Sequence, residues 1–306
     1  RDVAPSRGLG DVYKRQVVRT PLSNTLVYAS VHCSLLEQLD ALSQIGGVCD
    51  LSYIKTPALL SRAENGKLTD AGNSMSPDIE RVMSLNPDAI LLSPFENAGY
   101  GRIGKMGIPI IECADYLETS PLGRAEWIKF FGLLYGKEVE ADSIFTEVEK
   151  NYTELRDKIG VLSSAPVVIS ELKSGSAWYM PGGKSYMARF FKDAGAAYPW
   201  SDNTETGSIP LSFETVFNRA GEADIWLIKS FHVSELSYRT LQKEYAPYAR
   251  FKAFREKKIY GCDSSRCNYY EETPFRPDLL LQELAALFHP GLFPDYRFRY
   301  YQPLSE

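Results

Sequence analysis

The chain has 306 residues, enough for about two domains. Its 44% hydrophobic and 24% charged content is that of an ordinary globular protein. A net charge of −5 excludes the basic footprint of a nucleic-acid binder, and no apolar run approaches the roughly 20 residues that span a bilayer.

Residues 1–16 are polar, show no helical or strand period, and read as foreign sequence. They are set apart as a non-native or disordered segment, and fold reasoning starts at Val17. Leu26-Val27-Tyr28-Ala29-Ser30-Val31 is a run of strand formers, short enough for a buried strand. Leu35, Leu36, Leu39 and Leu42 follow at helical spacing, and 45–49, 89–93 and 108–113 are further strand candidates. This alternation predicts an α/β fold with parallel-rich sheets and right-handed crossovers. Ser120 and Pro121 predict a helix start, Ser at the cap and Pro at the first helical position. After Gly136 a second helix runs through Ile144, Val148, Tyr152, Leu155 and Ile159, about 20 residues or about 30 Å. A surface helix on a sheet reads the same way, but its place between two copies of a repeat favours a rod joining two lobes. Beyond Gly160, strands are expected at 167–170, 225–229 and 258–261, and helices at 185–192, 236–244 and 278–287. The expected division is an N-terminal lobe at 17–120, a helical segment at 121–160, and a C-terminal lobe with an extended tail at 161–306.

One unit occurs twice. Ser76-Pro77-Asp78-Ile79-Glu80 leads to Asp88-Ala89-Ile90-Leu91-Leu92, and Leu211-Ser212-Phe213-Glu214 leads to Asp224-Ile225-Trp226-Leu227-Ile228. Each copy reads as a capped helix with an early Glu, then an Asp opening a buried strand. The recurrence predicts two similar lobes, and two facing lobes make a ligand cleft. Singly, Glu80 and Glu214 need no function, since the helix dipole favours an acid in the first turn by about 0.3–1 kcal/mol. At equivalent positions in two lobes they form a two-point footprint for a partner carrying Arg or Lys.

Gly99-Tyr100-Gly101-Arg102-Ile103-Gly104 has the spacing of a dinucleotide loop, but the strand before it ends too early and no helix has room to follow. The cysteines Cys33, Cys49, Cys113, Cys262 and Cys267 lack zinc-site spacing. Cys262 and Cys267 are near enough to close a small loop, and unpaired thiols are an equal reading. His32 and His232 each follow a predicted strand, where α/β folds place ligand groups, although a hydrogen-bonded loop histidine reads the same way. Phe95, Tyr100, Tyr116, Trp178, Tyr179, Trp200 and Tyr269 fall in predicted loops, and Tyr53 and Glu96 join them as candidate lining. Rings on loops beyond strand ends more often line pockets than cores. Arg102, Lys173, Lys229 and Arg266 supply positive charge for an anionic ligand. No metal site built by the chain itself is expected.

The stretches 27–48, 70–72 with 76–94, 107–113, 178–186, 211–216, 223–227 and 268–270, in that order and spacing, resemble the substrate-binding proteins of ABC importers for iron complexes and cobalamin. The resemblance covers nearly the whole chain after Val17. It implies two Rossmann-like α/β lobes with parallel-rich sheets, joined by one long rigid helix, with the ligand in the cleft between them. It implies a monomer that is not an enzyme, holds no cofactor, and captures an iron complex, siderophore or haem, the ligand being a metal chelate. Docking on the permease transmembrane subunits would run through Glu80 and Glu214. The resemblance also implies export, to the periplasm or as a membrane-tethered lipoprotein, with the signal segment missing from this chain. The alternatives are a cobalamin carrier and, from another class, a metal chelatase on a related fold. A chelatase wants a His beside a carboxylate, and neither His32 nor His232 has an adjacent Glu.

Overall fold

The computed structural model describes residues 17–94, 100–231 and 236–306; Phe95, Glu96 and His232 lie outside the described residues. The chain divides into two units. The first runs to Cys113 and adds Leu133–Gly136, and the second takes Ala114–Gly132 and Lys137–Glu306. Residues 114–120, expected with the N-terminal lobe, group with the second unit. There the buried Asp115 carboxylate accepts from Arg124 Nε at 3.0 Å.

The first unit is built on β1 (Thr25–Val27), β2 (Ile45–Val48), β3 (Thr69–Asp70), β6 (Ala89–Leu92) and β7 (Ile110–Glu112), with a hairpin of β4 (Gly72–Asn73) and β5 (Ser76–Pro77). The five-stranded sheet has the order β3-β2-β1-β6-β7 and is parallel throughout. Its helices are α1 (Ser30–Gln38), α2 (Pro57–Glu64) and α3 (Ile79–Leu85). Central β1 and β6 are buried along their whole length. That is why they read as unbroken apolar runs rather than as alternation. On β2, a Cβ at Gly46 would stand 1.7 Å from Asn24 Oδ1, so only glycine lets that neighbour lie so close.

The second unit opens with α4 (Pro121–Tyr135), whose last residues count with the first unit, and α5 (Glu138–Ile159). Then come β8 (Val168–Ser170), β9 (Lys173–Ser174), β10 (Ala177–Pro181), α6 (Tyr186–Asp193), β11 (Ser208–Leu211), α7 (Phe213–Ala220) and β12 (Ile225–Ser230). They are followed by α8 (Tyr238–Glu244), α9 (Lys252–Arg255), β13 (Ile259–Asp263), α10 (Tyr269–Glu272), α11 (Pro277–Phe288) and β14 (Gln302–Pro303). One sheet has the order β14-β13-β12-β8, parallel except for β14; a second, antiparallel, runs β11-β10-β9. Helix α5 lies wholly in this unit and packs on α11, where Asn151 Nδ2 meets Asp278 Oδ2 at 3.4 Å. The tail is held by the buried Glu283 carboxylate of α11, which accepts the backbone N–H groups of Arg299, Tyr300 and Tyr301 at 2.6–2.8 Å.

The repeated sequence unit is one device built twice. Asp78 caps α3, accepting from Glu80 N at 3.0 Å and Arg81 N at 3.1 Å, and Ser212 caps α7, accepting from Thr215 N at 3.1 Å. Asp88, just before β6, accepts from Ser23 N at 2.8 Å and Asn24 N at 2.9 Å at the start of neighbouring β1. Asp224, just before β12, accepts from Val167 N at 2.8 Å at the start of neighbouring β8, and from Lys252 Nζ at 2.6 Å. In each sheet the Asp ties the beginnings of two parallel strands together, using N–H groups that the ladder leaves over.

Two local expectations change. The strand expected at 26–31 ends at Val27, and α1 begins at Ser30. Tertiary packing carries the β-branched Val31 into the helix against its weak intrinsic preference. Trp178 and Tyr179, expected on a loop, lie on β10. Trp178 and Met180 are fully buried there while Tyr179 is half exposed, the two-residue alternation of a strand with one face in the core.

Candidate functional site

In each unit the carboxyl ends of the parallel strands open on a pocket, where ligands of open α/β sheets bind. The pocket of the second unit, about 740 Å³, is lined by residues that follow β8, by the outer face of β10 and by the end of β12. Lys173, Tyr179, Tyr186, Ser208, Lys229 and Glu171 carry its chemistry. The pocket of the first unit, about 370 Å³, is lined by Tyr28 after β1, Met75 at the hairpin turn, Leu92 and Ser93 at the end of β6, and Tyr100 and Arg102 beyond.

At the base of the larger pocket Lys229, with its side chain 11% exposed, pairs with the Glu171 carboxylate. Burial works against the ammonium, but the charge and hydrogen bond of Glu171 outweigh it and raise the Lys229 pKa. The register Leu227↔Ser170 between β12 and β8 brings the two residues together. Glu171 holds a left-handed backbone (φ 65°), a conformation that costs a non-glycine residue about 1 kcal/mol. Its N–H donates to Leu227 O at 2.9 Å and its carbonyl accepts from Trp226 Nε1 at 2.9 Å, so the strand end is fixed from both sides. Lys173 lines the same pocket, its ammonium donating to Gly175 O and lying 5.2 Å from the Tyr245 ring centre. The Lys229 charge is thus matched, whereas Lys173 makes no ion pair among the described residues.

In the first unit the Tyr100 hydroxyl meets the Glu112 carboxylate. Burial first, and then the neighbouring Cys49, push the Tyr28 hydroxyl far up, so it stays protonated as a donor. Arg102 is exposed and makes no ion pair among the described residues.

Of the expected lining, Tyr100 and Arg102 reach one pocket, and Lys173, Tyr179 and Lys229 the other. Several others do not. Trp178 is a core residue, its ring centre 5.3 Å from that of Trp226 and 5.7 Å from those of Tyr248 and Phe251, with Nε1 donating to Ser170 O at 3.0 Å. Trp200 is buried beside Tyr198 under the Arg219 guanidinium. Tyr269 is buried among Tyr270, Tyr300 and Tyr301. His32 is a buried residue inside α1 rather than a loop residue. Tyr53 and Tyr116 are exposed on single turns that line neither pocket, and Arg266 pairs with Asp263 at 3.3 Å and lines a second pocket of this unit, which shares Ser230 with the first. For Trp178, Tyr269 and His32 the cause is that these segments are strands or helices rather than loops, so their side chains meet the core.

Sequence reasoning missed Tyr28, Glu171, Tyr186 and Ser208. For Glu171 and Tyr28 a signal existed, a polar residue one position beyond a buried strand. Ser208 had none, because its place follows from long-range pairing of β10 with β11, and Tyr186 opens α6. Glu80 and Glu214 are exposed in the first turns of α3 and α7. No helix among the described residues is long and apolar enough to cross a membrane.

The family described as periplasmic binding protein matches residues 33–265. An uncharacterized lipoprotein of Methanocaldococcus jannaschii is 30% identical over 302 residues, covering 93% of this chain and 69% of its own. A molybdate periplasmic binding protein of Haemophilus influenzae shares the fold with a TM-score of 0.70 at 17% identity, over 91% of this chain and 90% of its own. A periplasmic heme-binding protein of Pseudomonas aeruginosa does so with a TM-score of 0.69 at 17% identity, over 93% and 99%.

Proposed function

Because the chain belongs to the periplasmic binding protein family, the solute-binding components of ABC importers and not enzymes, we propose that it captures an iron complex, a siderophore or haem, for delivery to a permease. Membership in a family of binding proteins removes the chelatase alternative. The observation that carries the iron-complex reading is the pairing of rings with a cation that makes no ion pair among the described residues, at the strand tips. Arg102 stands with Tyr28 and Tyr100 in one unit, and Lys173 with Tyr179 in the other. Flat rings suit the face of a chelate and the cations suit its carboxylates or phenolates. The heme-binding structural relative supports the same ligand class. Glu80 and Glu214, exposed at equivalent helix starts, would meet basic residues of the permease. A lipoprotein relative supports a tether at the outer face of the membrane.

The test is calorimetric titration of the purified chain with haemin, a ferric hydroxamate, a ferric catecholate and cyanocobalamin. Three of the four tryptophans, Trp178, Trp200 and Trp226, are buried, so heat is a better reporter than indole emission. One-to-one binding of an iron complex near or below about 1 μM, roughly −8 kcal/mol, is expected. Binding of cyanocobalamin alone would move the reading to the cobalamin carrier, and binding of none of the four would overturn the metal-chelate reading.

A further inference from the structure

The pocket chemistry leaves Cys262 and Cys267 unused, and they form the most specific reactive pair among the described residues. Cys262 is the buried fourth residue of β13, in register with Lys229 of β12. The chain then turns back on itself. Asp263 Oδ1 accepts from Ser265 N at 2.9 Å and from Ser265 Oγ at 2.6 Å, and the Asp263 carbonyl accepts from Arg266 N at 3.0 Å and Cys267 N at 3.3 Å. This turn brings Cys267 Sγ to 3.7 Å from Cys262 Sγ. A disulfide needs about 2.05 Å, so the sulfurs must close by about 1.7 Å, within reach of side-chain rotation and a small relaxation of a six-residue turn. Cys262 is shut away from solvent, whereas Cys267 is partly exposed and lines a surface pocket with Arg266 and Asp263.

We propose that Cys262 and Cys267 are a dithiol–disulfide site, oxidised by small-molecule disulfides, that locks the turn after β13. The Cys267 thiolate attacks a disulfide R–S–S–R, forming Cys267–S–S–R and releasing RS⁻, which takes up a proton. The Cys262 thiolate then attacks the Cys267 sulfur, forming the intramolecular disulfide and releasing the second RS⁻. Two electrons pass from the protein thiols to the small disulfide, and two R–SH leave. The order of attack follows from access: partly exposed Cys267 meets the small disulfide first, and buried Cys262, 3.7 Å away, meets only the mixed disulfide on Cys267. Closing the loop also fixes the residues between β13 and α10, including Arg266.

The whole chain is incubated with oxidised glutathione, the remaining thiols are alkylated, and the protein is digested with trypsin without reduction. Cleavage after Arg266 places the two cysteines on different peptides, so the disulfide appears as a linked pair that separates on reduction. The expected result is that linked pair, together with a rise of about 4–9 °C in the unfolding midpoint, lost in Cys267→Ser. In Cys262→Ser, glutathione should remain on Cys267. Recovery of both cysteines alkylated, or of wild-type chain with glutathione held on Cys267 and no linked pair, overturns the proposal. The readout needs no ligand, so its failure is separate from failure of the binding reading.

Discussion

Trp178→Ala separates a core residue from a binding residue. The Trp178 indole is fully buried and packs on Trp226, Tyr248 and Phe251, and its Nε1–H satisfies the Ser170 carbonyl. A side chain of this size buries roughly 200 Å², worth about 5 kcal/mol at about 25 cal/mol per Å². Measured aromatic-to-Ala losses in cores run about 3–5 kcal/mol, and the orphaned carbonyl falls within that range. For a unit of this size the loss lowers the melting midpoint by roughly 6–20 °C, read by differential scanning calorimetry as a shift of the transition that contains the second unit. The neighbour on the opposite face of β10 is the control. Tyr179→Ala removes a half-exposed ring that lines the pocket, so stability should move by less than about 0.5 kcal/mol while haemin affinity falls about 2- to 10-fold. If Trp178→Ala shifted the midpoint by less than about 2 °C while the affinity collapsed, the assignment of this ring to the core would be wrong.

Other consequences are equally open to measurement. Asp88 and Asp224 both titrate below the ordinary carboxylate range. For Asp88 the Ser23 N–H dominates; for Asp224 burial opposes the charge, and Lys252 with the Val167 N–H outweighs it. A depressed folded pKa gives stability that is present above the unfolded value near 4 and is lost as pH falls through the folded value. Urea midpoints of Asp88→Asn and Asp224→Asn should therefore show a flatter acid limb than the parent below about pH 4. The double variant Glu80→Ala, Glu214→Ala should abolish uptake in cells and leave calorimetric affinity unchanged; a parallel fall in affinity would remove the docking role. Glu171→Gln strips the partner from a nearly buried ammonium, and chemical denaturation should show a loss of about 1–3 kcal/mol, with no loss meaning that water already serves Lys229. Arg102→Ala should weaken haemin binding about 10-fold without changing the melting midpoint, because the side chain is exposed.

The sequence by itself determined what short-range chemistry determines. The strand and helix alternation was legible, as were the Ser120 start of α4 and the twice-used unit, a capped helix with an early Glu, that led to Glu80 and Glu214. The aspartates that open β6 and β12 were visible as letters, but their purpose was not, because their partners belong to strands far away in the chain. Tertiary structure alone decided which rings meet ligand and which meet core. Trp178 and Tyr179 are adjacent and chemically alike, yet strand pairing with β11 sends them to opposite faces. Likewise, nothing near Lys229 in sequence foretold that its charge is matched, since the match is made by the end of β8 one strand away. A local pattern can specify a helix cap within four residues. The side on which a pocket forms is a property of register between strands that meet only when the chain has folded.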